Sequence, residues 1–165
     1  MMKRIDAIYT HPLYRKHFLA LQGREKDRVF CRHTMEHFLD VARLMYIRNL
    51  EEQAGLPKEL IYAAALTHDI GRNEQYVSGE PHEKAGARLA GEILKDCGFQ
   101  EEEIQKIQIA ILSHRGSEGQ KKSTDTEMLS QYLYWADKKS RNCFSCLACE
   151  ECNWSEQKKN LNIEL

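Results

Sequence analysis

The apolar residues of this chain recur at the three- and four-residue spacing of an α-helix along most of its length. The strongest pattern covers about residues 33–54, and a weaker one covers about residues 10–22. Similar patterns cover about residues 58–69, 101–114 and 126–140. No run alternates between apolar and polar residues for long enough to predict a strand. The pattern therefore predicts an all-α protein.

Glycine and proline residues mark the ends of these segments. Gly55 ends the helix of residues 33–54, and Pro57 is well placed to begin the next helix. Pro81 begins a further helix, which Gly98 ends. About six helices are expected in total.

Polar residues separate the helical patterns at two other places. Residues 71–80 and 120–124 are predicted to form loops. Thr124 is followed three residues later by Glu127, which is the pattern of a capping box at the start of the helix over about 126–140.

The length of 165 residues is sufficient for one compact domain with its own core, and we expect a single-domain helical bundle. Residues 1–30 are predicted to form an N-terminal helical segment packed on the domain. Residues 31–141 form the catalytic core, and residues 142–165 form a cysteine-rich tail.

The composition is that of an ordinary globular protein, with 42% hydrophobic and 30% charged residues. The formal net charge of −1 gives no signal for a nucleic-acid surface. The N-terminal residues lack the apolar region of a signal peptide, and no apolar run reaches membrane-spanning length. These observations favour a cytoplasmic protein with no membrane partner.

Ionisable side chains interrupt the apolar stripes at several helix positions. His37 shares a stripe with Val41, His68 follows Ile61, and Asp137 follows Leu133. Burying one such group without a partner costs roughly 2–7 kcal/mol. A single histidine on a stripe is more often a hydrogen-bonded core residue than a ligand. Several such groups in one interior, however, are most simply stabilised by a cation.

Three sequence motifs contain these residues: HFLDVA at 37–42, HDIGR at 68–72 and YWADKKSR at 134–141. Together they resemble the motifs of the HD superfamily of metal-dependent phosphohydrolases. The resemblance covers about residues 33–141 and implies a compact all-helical bundle.

Two further histidines, His82 and His114, look like the additional ligands of dinuclear members of that superfamily. The layout is similar to that of bacterial HD hydrolases that cleave dinucleoside tetraphosphates. The resemblance implies two divalent ions of iron, manganese or zinc, all of which suit nitrogen and oxygen ligands. It places one metal on His37, His68 and Asp137, and a second on His82 and His114, with Asp69 bridging the two.

The resemblance also implies a reaction, in which a metal-bound hydroxide cleaves a phosphoester or phosphoanhydride of a nucleotide-like small molecule. Asp69 and Arg72 are then the expected catalytic residues. Arg72, Arg115 and Arg141 are the expected phosphate-binding residues, because arginine makes bidentate contacts with phosphate. Two alternatives stay open: a mixed-valent diiron oxygenase, and a non-catalytic module that senses nucleotides or metals.

Some nearby charged residues are weaker candidates. Lys84 and Lys138 are more readily interpreted as solvated charges than as substrate contacts. Glu74 and Glu83 are minor candidates for transferring a proton. His33, four residues before His37, is expected to support a ligand or to be structural. His11 and His17 lie outside the motifs and are expected to be structural.

Four cysteines of the tail, Cys143, Cys146, Cys149 and Cys152, follow one another at three-residue intervals. On a helix the first and last would lie about 13.5 Å apart, so one ion could not bind all four. Three of them together with Cys31 make a simpler set. The tail is similar to that of some bacterial HD proteins, which leaves Cys149 as the spare.

Three interpretations of the set Cys31, Cys143, Cys146 and Cys152 stay open: a structural zinc site, an iron–sulfur cluster, and free thiols. The spacing differs from that of the bacterial ferredoxin run. Cys97 is expected to be a small core residue.

Overall fold

A computed structural model describes residues 2–114 and 124–163 of the chain. In these ranges the chain forms no strand, which confirms the predicted all-α class. The eight α-helices of the described ranges are α1 (Lys3–Thr10), α2 (Pro12–Arg24), α3 (Met35–Glu51), α4 (Lys58–Thr67), α5 (Arg72–Ser78), α6 (His82–Asp96), α7 (Glu101–Ser113) and α8 (Asp125–Lys139). Single-turn 3₁₀-helices cover Cys143–Ser145 and Glu156–Lys158. None of the helices in the described ranges is both long and apolar enough to cross a bilayer.

The weak helix predicted over about residues 10–22 is α2, but the sequence analysis missed α1, which precedes it at Lys3–Thr10. Pro12 has no backbone N–H and cannot continue a preceding helix, but it suits a helix's first turn. His11 adopts an extended conformation at the break, and its Nδ1 accepts a hydrogen bond of 3.2 Å from the Leu13 N–H.

The prediction of a loop over residues 71–80 was wrong, because α5 occupies most of it. This helix has only seven residues, and Tyr76 and Val77 on it are exposed. It therefore has no apolar stripe that a sequence pattern could detect. Its packing against α2 and α6 holds it in place instead. These two differences raise the number of helices from about six to eight in the described ranges.

Helix α4 lies at the centre of the bundle and contacts α1, α3, α6, α7 and α8. Its residues Leu60 and Ile61 and the run 63–67 are all buried. Three consecutive alanines in that run, Ala63–Ala65, keep the helix narrow enough for neighbours on several sides. The chain leaves this buried helix directly into the HDIGR motif, so the motif begins in the core.

The N-terminal helix α1 is fastened to the bundle by Arg4. The guanidinium group of Arg4 pairs with Glu59 at 2.7 Å and with Glu103 at 2.8 Å. It also lies 4.1 Å from the centre of the Phe99 ring. One side chain therefore links α1 to α4 and α7.

Helix α8 begins at the predicted capping box. The Thr124 hydroxyl accepts a hydrogen bond of 3.3 Å from the Glu127 N–H, and the Glu127 carboxylate accepts one from the Thr124 N–H. Helix α3 ends at Glu51, a few residues before Gly55, which adopts a φ of 74° in the following turn. These ends fix the positions of His37 and Asp137 along their helices.

Gly71 lies where the HDIGR motif meets the start of α6. Its backbone dihedral angles, φ −72° and ψ −9°, are accessible to any residue. The requirement for glycine is spatial instead. A Cβ at this position would lie 2.2 Å from the His82 carbonyl oxygen and 2.3 Å from the Gly86 nitrogen. The missing side chain therefore lets α6 approach the motif.

Replacing Gly71 with alanine is expected to destabilise the protein by about 3 kcal/mol or more, because the new methyl group collides with backbone atoms that cannot rotate away. Chemical denaturation of the two proteins measures this difference. Gly23→Ala is the matched control, since a Cβ at Gly23 meets nothing within 4 Å and alanine is the better helix former. Equal stability of Gly71→Ala and the natural protein would contradict the packing described.

Candidate metal centre

The structure brings together the six residues that the sequence nominated as metal ligands. Each comes from a different place in the bundle, except for the adjacent pair His68 and Asp69. None of the six is more than 6% exposed. Their donor atoms form two groups, within each of which the atoms lie no more than 4.8 Å apart. The first group is His37, His68, Asp69 and Asp137, and the second is Asp69, His82 and His114.

The first group lies between α3, the end of α4 and α8. His68 Nε2 is 3.3 Å from Asp69 Oδ2 and 3.8 Å from Asp137 Oδ1. His37 Nε2 lies 3.5 Å from the same Asp137 oxygen. The imidazole nitrogens and carboxylate oxygens of this group therefore face a common centre.

The second group faces the other oxygen of Asp69. His82 Nε2 is 3.3 Å from Asp69 Oδ1, and His114 Nε2 is 3.6 Å from it. The two imidazole nitrogens lie 3.3 Å from each other. Each oxygen of the Asp69 carboxylate is thus directed at a different set of histidines.

Two of the histidines are oriented by the helices that they end. His68 is the C-cap of α4, and its Nδ1–H donates to the Ala65 carbonyl at 2.7 Å. His114 is the C-cap of α7, and its Nδ1–H donates to the Ile111 carbonyl in the same way. Each bond satisfies a carbonyl of the last turn and leaves the Nε2 lone pair free to bind a metal.

Side chains orient the other two histidines. The Nδ1–H of His82 donates to Gln75 Oε1 at 2.8 Å. The hydroxyl of Ser140 donates to the Asp137 carbonyl at 2.9 Å, and its oxygen accepts from His37 Nδ1–H at 3.1 Å. All four imidazoles therefore present Nε2 to the centre, which is the arrangement that metal-ligating histidines need.

The donor atoms fit a divalent cation. His68 Nε2 and both carboxylate oxygens of Asp69 are buried and make no hydrogen bond of acceptable geometry among the described residues. Buried polar atoms are normally paired, so such a concentration of unpaired acceptors in one place calls for a ligand. Imidazole nitrogen with carboxylate oxygen suits iron, manganese and zinc.

The charges of the site also favour a cation. Burial opposes ionisation of Asp69, but Arg72 and His68 hold the pKa of its carboxyl well below the usual range. Burial likewise opposes ionisation of Asp137, but the His68 imidazole, whose Nε2 lies 3.8 Å from Asp137 Oδ1, lowers its pKa. Burial disfavours a charged His68, and yet the two carboxylates raise its pKa to about 9. The negative charge of the site thus draws a proton onto His68, and a bound metal would replace that proton.

His37 and His82, each of which has an arginine nearby, behave in the opposite way. Burial and the charge of Arg141 lower the pKa of His37 to about 2. Burial and the charge of Arg72 lower the pKa of His82 to about 3. Both imidazoles are therefore neutral at pH 7, which is the form that binds metals.

Further residues support Asp69 from the side of α2, and of these the sequence analysis had named only His33 for such a role. His33 Nε2 lies 3.4 Å from Asp69 Oδ2, and its Nδ1 lies 2.8 Å from Glu25 Oε1. The His33 backbone N–H also donates to Glu25, as does the hydroxyl of Tyr76. The sequence analysis left open whether His33 supports a ligand or is structural. In the structure it lies against Asp69, a predicted ligand. No apolar periodicity marks Glu25, so no sequence pattern pointed to this residue.

A pocket of about 610 Å³ opens beside the two donor groups. Arg72 lines it, with Nε 2.9 Å from Asp69 Oδ1. Arg141 lines it too, with Nη2 3.6 Å from Asp137 Oδ1 and 3.0 Å from His37 Nε2. The third predicted phosphate-binding residue, Arg115, lies outside the described residues.

The pocket contains further cationic side chains that the sequence analysis had ranked low or missed. Lys138, interpreted as a solvated charge, lines the pocket and pairs with Asp137 Oδ2 at 2.5 Å. Arg28 and Lys158 also line it. Lys84, in contrast, is exposed on α6 away from this lining, as a solvated charge is expected to be.

The remaining candidates lie outside both donor groups. His11 caps α2 and its Nε2 lies 3.2 Å from Asp96. His17 is buried between α2 and α5, where its Nδ1 lies 3.3 Å from Glu74. Glu74 is therefore engaged away from the centre, while Glu83 lies beside His82 with its Oε2 3.6 Å from Nδ1.

Comparison with known proteins agrees with this geometry. The sequence profile of the HD domain matches residues 34–142, and the chain therefore belongs to the HD domain family, a family of metal-dependent hydrolases. An uncharacterized protein of Clostridium beijerinckii is 44% identical over 162 residues, which cover 98% of this chain and 99% of that protein. The crystal structure of a predicted HD superfamily hydrolase from an uncultured Thermotogales bacterium shares the fold. It has a TM-score of 0.58 and 23% identity, with 89% of this chain and 81% of that chain covered.

Glu25→Gln is expected to lower the free energy of unfolding by about 2 kcal/mol at pH 7, because a buried, charge-assisted set of hydrogen bonds is weakened. Despite its burial, hydrogen bonds from His33 lower the pKa of Glu25 from 4.5 to about 2 in the folded protein. Its stabilising contribution is therefore complete above the unfolded pKa and is lost as the pH falls from 4.5 towards 2.

Denaturant titrations of both proteins between pH 7 and pH 3 measure the difference, which should shrink below pH 4.5. Asp27→Asn, which removes an exposed carboxylate two residues away, is the control and should change stability little. A constant difference at every pH would show that Glu25 does not act through its charge.

Proposed function

We propose that this protein is a metal-dependent phosphohydrolase that cleaves a phosphoester or phosphoanhydride bond of a nucleotide-like small molecule. The observation that carries the proposal is the position of Asp69. One of its oxygens faces His68, and the other faces His82 and His114. A carboxylate buried between two sets of imidazoles is suited to bridge two metal ions.

The residues divide between the two ions as follows. His37, His68 and Asp137 would hold one ion, and His82 and His114 would hold the other, with Asp69 contributing to both. A pair of divalent metals acidifies a water molecule and neutralises the charge on a phosphoryl group.

Arg72 is the residue best placed to bind the phosphate of the substrate. It follows Asp69 by three residues, lines the pocket and is held against Asp69 Oδ1 at 2.9 Å. Because one edge of its guanidinium group is anchored, less conformational freedom is lost when the group binds a phosphate. Arg141 is anchored similarly, since its Nη1 donates to the Arg32 carbonyl at 3.0 Å.

The pocket supports a substrate of nucleotide size and chemistry. Its volume of about 610 Å³ lies within the usual range for small-molecule sites, roughly 300–1,000 Å³. The cations Arg28, Lys138 and Lys158 offer further positive charge for a polyphosphate. Phe30 and Trp154 also line the pocket, and their flat faces are of the kind on which bases stack.

Asp69→Ala is expected to lose bound metal and to abolish phosphate release, because it removes the one side chain that both donor groups share. Elemental analysis and phosphate release from mononucleotides, nucleoside triphosphates and dinucleoside polyphosphates measure the two effects, with circular dichroism confirming the fold. Asp40→Ala removes a half-exposed carboxylate of α3, which pairs with Arg43 outside both donor groups, and should change neither. Full metal content with unchanged turnover in Asp69→Ala would sink the proposal.

The same measurements on the natural protein separate the alternatives. Two iron atoms with substrate-dependent oxygen consumption would indicate an oxygenase. Tight nucleotide binding without product, in every metal-loaded form, would indicate a sensing module. Turnover that is sustained with manganese under anaerobic conditions supports hydrolysis.

Arg72→Gln is expected to reduce kcat/KM by about 10²-fold, which corresponds to about 2.7 kcal/mol of lost transition-state stabilisation. The bound metal should remain, because Arg72 is not a ligand. Steady-state kinetics and elemental analysis of the same preparation test both statements. Arg88→Gln, which removes an exposed cation paired with Glu80, should leave the kinetics unchanged. Unaltered kcat/KM in Arg72→Gln would remove Arg72 from the site.

A further inference from the structure

The two donor groups of the metal centre are unequal in negative charge. The first group contains two carboxylates, those of Asp69 and Asp137, whereas the second contains only that of Asp69. Within the second group, the Nε2 atoms of His82 and His114 lie 3.3 and 3.6 Å from the same oxygen, Asp69 Oδ1. In the part of the chain that the structure describes, an ion held by the second group therefore depends on this oxygen for its anionic ligand.

Arg72 contacts the same oxygen. Its Nε lies 2.9 Å from Asp69 Oδ1, closer than the Nε2 atom of either imidazole. Burial and the charge of Arg72 also lower the pKa of His82 to about 3. The guanidinium group and an ion held by the second group are therefore two positive charges directed at one oxygen, and each weakens the attraction of Asp69 for the other.

The guanidinium group also belongs to the pocket. Arg72 lines the pocket and its side chain is 22% exposed, whereas Asp69 is fully buried. Arg72 Nε makes no hydrogen bond of acceptable geometry among the described residues. The side chain thus connects a buried oxygen of the metal centre with the space in which a phosphate would bind.

The first donor group depends less on any one contact of this kind. Two cations, Arg141 and Lys138, contact the Asp137 carboxylate. The first group nevertheless keeps a second anionic donor, Asp69 Oδ2, which faces imidazole nitrogens. Arg72 is therefore expected to oppose binding of an ion by the second group more than binding by the first.

We propose that Arg72 couples binding of the second metal ion to binding of the substrate's phosphate. The inference rests on the proposed function, because it requires both the two-ion centre and a phosphate in the pocket. A phosphate bound by Arg72 offsets the guanidinium charge beside Asp69 Oδ1, so this oxygen attracts the second ion more strongly. By thermodynamic linkage the second ion strengthens phosphate binding by the same factor. Arg72 is then a positioning residue for the second ion as well as a phosphate ligand.

Titration of the full-length protein with Mn²⁺, in the presence and absence of inorganic phosphate, tests the proposal. Electron paramagnetic resonance measures free Mn²⁺, and the spin-coupled signal of a manganese pair reports occupancy of both sites. The natural protein is expected to bind one ion tightly and a second more weakly. Phosphate should strengthen binding of the second ion by about 10-fold and change that of the first little.

Arg72→Gln separates this coupling from direct binding of phosphate to the ions. Without phosphate, the variant is expected to bind the second ion about 10-fold more tightly than the natural protein does, and phosphate should then add little. Arg28→Gln is the matched control. It also removes an arginine of the pocket, but one that contacts Glu25 and Tyr76, and it should leave binding of the second ion without phosphate unchanged.

The cysteine-rich tail does not disturb the count of manganese ions. Among the described residues, no three cysteine sulfur atoms lie within 4.8 Å of one another, so the predicted cysteine set does not converge on one ion: Cys31, Cys143, Cys146 and Cys152. Manganese also prefers oxygen and nitrogen ligands to thiolates.

An equal effect of phosphate in the natural protein and in Arg72→Gln would show that phosphate acts by binding the ions directly, and would overturn the proposal. Weaker binding of the second ion in Arg72→Gln would also overturn it. So would the absence of any phosphate effect in the natural protein, a measurement that does not depend on the folding of a variant. Two bound ions without coupling would leave the proposed function standing, whereas failure to bind manganese would count against both.

Discussion

The structure depends on the burial of one carboxylate, that of Asp69, at the end of the most buried helix. A charge taken out of water is tolerated only when neighbours compensate it, and the neighbours of Asp69 come from its own motif and from three other parts of the chain. Arg72 follows it by three residues, His68 precedes it, and His33, His82 and His114 reach it from the surrounding segments. The arrangement of the bundle around α4 therefore serves to bring these groups to one buried position.

Packing makes that convergence achievable. Alanines in α4 allow several helices to approach it, and the absent side chain of Gly71 lets the start of α6 lie against the turn that carries Asp69. Because His82 is the first residue of α6, this close approach sets the distance between His82 and Asp69. A backbone contact that involves no chemical group of the site thus determines the geometry of half of it.

The sequence predicted the helices that carry long apolar stripes and brought forward all six residues of the two donor groups. His37, His68, His114 and Asp137 could be recognised locally because each lies on or at the end of an apolar stripe, whereas His82 was named from the resemblance to the HD superfamily. Glu25 was missed, and α5 was predicted to be a loop, for the opposite reason. Their positions follow from contacts between distant segments, such as Glu25 with His33 and Tyr76, which leave no periodic trace along the chain.

The structure was also needed to explain why residue 71 is a glycine. A glycine after His68 and Asp69 suggests a bend in the backbone, but the dihedral angles of Gly71 are ordinary. Glycine is required there because neighbouring backbone atoms leave no room for a Cβ.

The capping of α4 and α7 by His68 and His114 has a consequence for how the centre responds to motion. Each imidazole is oriented by a carbonyl of its own helix's final turn, so a ligand keeps its orientation only while that turn is intact. Fraying of either helix end releases the Nδ1 bond and lets the ring rotate. Metal affinity and the local opening of these two turns are therefore linked equilibria, and amide hydrogen exchange at residues 65–68 and 111–114 would slow when the centre is loaded.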